Sequence, residues 1–82
     1  MVIIYGTEWC GYCIRAKKLV EQHQLDFEFR DVDNPEIKAQ LTSMLPDYKT
    51  IPQIWWYGNH VGGYDNFARE VENTRNFAQD GF

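Results

Sequence analysis

The hydrophobic positions of this chain change period several times along its length, and each change marks a different element. Val2-Ile3-Ile4-Tyr5 is an apolar, largely β-branched run ended by Gly6 and Thr7, the pattern of a buried strand. From Gly11 to about Gln24 the apolar residues Ile14, Ala16, Leu19 and Val20 fall at helical spacing, with Arg15, Lys17, Lys18 and Glu21 mostly elsewhere. Period two returns from Phe27 to Val32, where Phe27, Phe29 and Val32 stand against Glu28, Arg30 and Asp31. That alternation predicts a second, half-buried strand beside the first.

Asn34 has the character of a helix cap, with Pro35 at the first helical position and Glu36 in an acidic first turn. Ile37, Leu41, Met44 and Leu45 give this second helix one apolar face up to the break at Pro46-Asp47. Gln53 to Tyr57 reads as a strand, Gly58-Asn59 as a hairpin turn into His60-Val61, and Gly62-Gly63 as its end. Phe67, Val71 and Thr74 mark a last helix, capped near Asp65 or Asn66 and expected to fray from about Asn76. The order is βαβαββα. A strand, a crossover helix and a strand make a parallel pair, and the hairpin extends it antiparallel. The predicted class is α/β, a four-stranded mixed sheet flanked by three helices.

Residues 1–82 suffice for a single domain, and three Trp, five Tyr and five Phe supply a dense core for it. A net charge of −4 without a clustered basic footprint points away from nucleic acid and from an anionic membrane. Met1 to Gly6 carries no basic leader, its apolar run is shorter than a signal peptide requires, and no later segment approaches a membrane span. The expectation is a cytoplasmic protein.

Chemistry enters with the two cysteines. Cys10 and Cys13 sit two residues apart where the first strand feeds the first helix. A thiol placed there faces unpaired backbone N–H groups and the positive end of the helix dipole, which favour its thiolate. The thiolate is the species that attacks disulfides. Cys10 is therefore the candidate nucleophile and Cys13 its resolving partner. A structural disulfide is the weaker reading, because a ring this small constrains the unfolded chain little. Zinc takes four ligands, and beyond the pair there are only His23 and His60, without ligand-type spacing.

Three motifs in order resemble the glutaredoxins, the smallest version of the thioredoxin fold: Cys10-Gly11-Tyr12-Cys13, Thr50-Ile51-Pro52-Gln53-Ile54 and Gly62-Gly63-Tyr64-Asp65. The resemblance runs from Val2 to about Val71. It implies a glutathione-dependent thiol–disulfide oxidoreductase. In that pattern Tyr12 flanks bound glutathione, and a cis Ile51–Pro52 bond faces Cys10 and leaves the Ile51 backbone free to pair with a peptide-like ligand. Lys49 stands where a basic residue meets the glycyl carboxylate. The turn at Gly63 and Tyr64 leads into helix N–H groups for the γ-glutamyl carboxylate, with Asp65 and Asn66 where Ser or Thr followed by Asp is usual.

The same resemblance implies glutathione as co-substrate, no resident metal, and a monomer acting on disulfide-containing or glutathionylated proteins, ribonucleotide reductase among them. Two departures stand out. Gly11 replaces the usual proline of the CPYC site. Thr7, followed by Glu8, stands three residues before Cys10 where Lys or Arg is common, which removes a cation from the thiolate's surroundings. Two alternatives stay open at this level. Trp9-Cys10-Gly11 imitates half of a thioredoxin site, which would be served by a thioredoxin reductase. Gly11 also admits an iron–sulfur carrier with a 2Fe-2S cluster bridged between two protomers by the first cysteine and glutathione.

Overall fold

The computed structural model describes the backbone of residues 1–80 and the side chains of residues 1–73. The elements are β1 (Val2–Gly6), α1 (Gly11–Gln22), β2 (Phe27–Asp31), α2 (Pro35–Met44), β3 (Gln53–Trp56), β4 (Asn59–Gly62) and α3 (Tyr64–Asp80). The predicted order βαβαββα is the observed one. The expectation about Thr74 falls on a side chain outside the described ones, and the backbone of α3 is helical through Asp80, past the point at about Asn76 where fraying is expected.

The sheet runs β2-β1-β3-β4, with β1 parallel to β2 and antiparallel to β3, and β3 antiparallel to β4. Strand alternation splits the core in two. Val2, Ile4 and Ile54 face α1 and α3, where they pack with Ala16, Val20, Phe67 and Val71. Tyr5 and Val32 lie on the opposite face with Leu41 of α2, and Ile3, Trp55 and Ile37 pack against them. The two faces correct three details of the sequence pattern. Val32 belongs to the α2 side, away from Phe27 and Phe29, because alternation along β2 places it with Glu28 and Arg30 on the opposite face. Ile14 and Met44 are exposed, since Cys13, Ala16 and Val20 form the buried stripe of α1 and Leu41 alone is fully buried on α2.

Helix α2 starts as its sequence requires: Asn34 Oδ1 accepts the N–H of Glu36 at 2.9 Å, and Pro35 occupies the first turn. The hairpin turn lies one residue earlier than expected. Tyr57 and Gly58 both have positive φ, 55° and 78°, as a two-residue turn of this kind demands. The register Trp56↔Asn59 leaves only those two residues for the loop, and Trp56 is held by an edge-to-face contact with Phe67 at 5.5 Å. Helix α3 also begins earlier than expected, at Tyr64, with the N–H of Phe67 bonded to the Gly63 carbonyl at 3.0 Å. Asp65 and Asn66 therefore lie in its first turn and do not cap it.

Candidate active site

Beyond Gly6 the chain turns through Thr7, Glu8 and Trp9 to Cys10, the N-cap residue of α1, whose backbone is extended (φ −86°, ψ 124°). Its carbonyl accepts the N–H of Ile14 at 3.0 Å. Its thiol is half-buried and directed at the carbonyl oxygen of Ile51, 3.8 Å away. Cys13 sits one turn into the helix and is fully buried. Both are free thiols.

The two sulfurs have opposite electrostatics. For Cys10, burial works to raise the pKa, but hydrogen bonds from the Cys13 backbone, the Cys13 thiol and the Tyr12 backbone outweigh it and hold the thiol below its ordinary value. For Cys13, burial dominates. The Thr7 N–H opposes it, while the Cys10 sulfur and the charge on Asp31 add to it, and the thiol is pushed up to about 12. The reachable thiol is thus the more readily ionised, and the enclosed one stays protonated near neutrality. Thr7, read from sequence as a missing cation near Cys10, has a buried side chain. Among the described residues its hydroxyl has no hydrogen-bond partner.

Beside Cys10 opens a groove of about 470 Å³ formed by Tyr12 of α1, the segment Thr50-Ile51-Pro52, and Gly63, Tyr64, Asp65 and Asn66 at the start of α3. The Ile51–Pro52 bond is cis, as the resemblance implies. All of the predicted binding positions except Lys49 line this groove; Lys49 is exposed beside it. The Tyr12 and Tyr64 rings are 6.0 Å apart, and the Arg15 guanidinium lies 5.2 Å from the Tyr12 centroid. Lys17, in contrast, covers the Phe29 ring at 4.5 Å. The Asn66 side chain folds over Gly62, whose φ of 118° and lack of a side chain both permit it.

Three features escaped the sequence. Trp9, 72% exposed, donates from Nε1 to Asp33 Oδ2 at 3.0 Å and ties the loop before Cys10 to the β2–α2 connection. Asp31 acts on Cys13 across the sheet. Gly6 lies directly under the Cys13 sulfur. Only the last left a signal, since alternation from Val2 and Ile4 puts Gly6 on the α1 face. His23 and His60 do not meet the cysteines; His60 Nε2 lies 2.8 Å from Gln53 Oε1. Among the described residues no three His, Cys, Asp or Glu side chains gather as a metal site.

A dithiol at the end of a central strand, opening a helix and facing a cis-proline segment, defines a thiol–disulfide oxidoreductase of thioredoxin-like fold. Residues 2–61 match the glutaredoxin family model. The chain is 46% identical over 66 residues to a glutaredoxin of Pseudomonas aeruginosa, an alignment covering 79% of this chain and 77% of that one. Among solved structures, reduced Escherichia coli glutaredoxin superposes with a TM-score of 0.75 at 30% identity, covering 92% of this chain and 96% of that one. A buckwheat glutaredoxin–glutathione complex superposes with a TM-score of 0.74 at 26% identity, covering 89% and 69%. The chain belongs to the glutaredoxin family, whose members are thiol–disulfide oxidoreductases.

Proposed function

We propose that the protein is a dithiol glutaredoxin that uses glutathione as reductant. The observation that carries this reading is the groove itself: it opens beside the Cys10 thiol and is bounded by donors and acceptors suited to an anionic tripeptide. The glutathione complex of the buckwheat relative supports it. Cys10 attacks the disulfide of a glutathionylated or disulfide-bonded protein, forming a mixed disulfide and releasing the first thiol. Either free glutathione or Cys13 then attacks that bond. The backbone of Ile51 pairs with the bound tripeptide, Tyr12 and Tyr64 flank it, and the first-turn N–H groups of α3 receive the γ-glutamyl carboxylate. Lys49 meets the glycyl carboxylate from the rim.

The clients are cytoplasmic proteins with redox-active disulfides, ribonucleotide reductase among them, served by a monomer. The deciding experiment compares two reductants on one substrate. Reduction of a small glutathione mixed disulfide should proceed with glutathione and glutathione reductase and fail with thioredoxin reductase alone. Turnover supported only by thioredoxin reductase would replace this reading with that of a small thioredoxin.

A further inference from the structure

The position of Cys13 is set by β1 as well as by its own helix. Gly6 ends that strand on the face that carries Val2 and Ile4, directly beneath the first turn of α1. A Cβ at Gly6 would overlap the Cys13 sulfur, would stand 3.1 Å from Cys13 Cβ, and would reach Cε2 of Phe29 at 3.6 Å. The space a side chain would fill is taken by the thiol, which is wholly shielded from solvent. The Thr7 peptide, next along the chain, lies close enough to the sulfur to oppose the rise of its pKa. Asp31 pairs in register with Gly6 and shares the face of Phe27 and Phe29, so its carboxylate lies on the same side of the sheet.

We propose that Gly6 is a positioning residue for the dithiol step: the missing side chain gives the reduced Cys13 thiol a buried seat, from which the sulfur is drawn toward Cys10 as the disulfide closes. This rests on the dithiol mechanism proposed above. In the closing step the Cys13 sulfur bonds to the Cys10 sulfur, the bond from Cys10 to the substrate sulfur breaks, and the departing thiolate takes the proton that Cys13 gives up. No outside oxidant enters, because the electrons of the new bond replace those of the old. The seat fits the sulfur of the open dithiol, and so stabilises that form more than the closed disulfide. It therefore biases resolution toward free glutathione and makes the internal disulfide easier to reduce. Gly6 has no left-handed φ to defend, so alanine fits its backbone while displacing the sulfur.

The test is a redox titration against fixed ratios of reduced to oxidised glutathione, with acid quenching and mass analysis of the dithiol and disulfide forms. Gly6→Ala should shift the equilibrium toward the disulfide at least threefold relative to the parent. The Thr7 amide gives a second readout that a merely structural role would not move. Its NMR resonance in the parent should shift on oxidation, as the Cys13 sulfur leaves it, and in reduced Gly6→Ala it should already lie toward the oxidised position. An unchanged equilibrium in Gly6→Ala overturns the inference. So does a Thr7 amide in the parent that ignores oxidation, a result that needs no variant to fold. A parent that forms no Cys10–Cys13 disulfide at any glutathione ratio overturns the dithiol mechanism as well.

Discussion

The indole of Trp9 is hydrogen-bonded to the carboxylate of Asp33, 24 residues away in sequence, at 3.0 Å. The N–H of Asp33 is in turn held by Asp31 Oδ1 at 2.8 Å. The two bonds join the loop that delivers Cys10 to the loop that ends β2. The ring itself is largely in water, so the bond, and not burial, makes the tie. Asp33→Ala should lower stability by on the order of 0.5–1.5 kcal/mol, the net worth of such a bond. In a chain of this size that is a few degrees in Tm. An unchanged melting temperature would mean that water replaces the carboxylate without cost.

The division of labour between the cysteines separates their variants. Cys10→Ser should abolish turnover, since it removes the sulfur that the substrate meets. Cys13→Ser should retain reduction of glutathione mixed disulfides, because glutathione itself can attack the bond on Cys10. It should lose most activity on protein disulfides that depend on internal closure. Equal loss in both variants on a glutathione mixed disulfide would show that every turnover passes through the Cys10–Cys13 bond.

Alkylation against pH reads the two thiols directly. The thiolate is the reactive form, and its fraction rises as pH climbs through the pKa. With the Cys10 pKa held down by the hydrogen bonds around it, its alkylation midpoint should lie below that of an unperturbed cysteine. Cys13, pushed up to about 12, should remain a protonated thiol and stay unmodified across roughly pH 5–9. Mass mapping should therefore find a single label, on Cys10. A second label acquired at a comparable rate would mean that the seat over Gly6 opens readily in solution.

Lys49 is the predicted binding residue that stands outside the groove wall. An exposed ion pair contributes on the order of 0–1 kcal/mol to folding, so Lys49→Ala should leave Tm nearly unchanged. It should raise KM for glutathionylated substrates several-fold, and added salt should narrow the gap, since screening weakens the interaction in the parent. Unchanged kinetics at low salt would assign the lysine to the solvated loop and leave the ligand to Tyr12, the Ile51 backbone and the start of α3.

Local chemistry was enough to read most of the scaffold. The β-branched run at Val2, the Asn34-Pro35 cap and the helical spacing of Ala16 and Val20 each act within a few residues, so the sequence carries them directly. The Cys10–Cys13 spacing at a strand end also names its chemistry without help, because the helix start that activates the first thiol is itself local. What needed the tertiary structure were relations across the sheet and the exact limits of the turns. The hairpin loop fell on Tyr57 and Gly58 because Trp56 is pinned against Phe67, and α3 began at Tyr64 because the Gly63 carbonyl accepts its first helical bond. The contrast between the two thiols is likewise a product of packing. Burial over Gly6 raises one pKa and hydrogen bonds at a helix start lower the other; alternation along β1 puts Gly6 on the α1 face, but only the docking of α1 on the sheet sets the Cys13 sulfur directly on it.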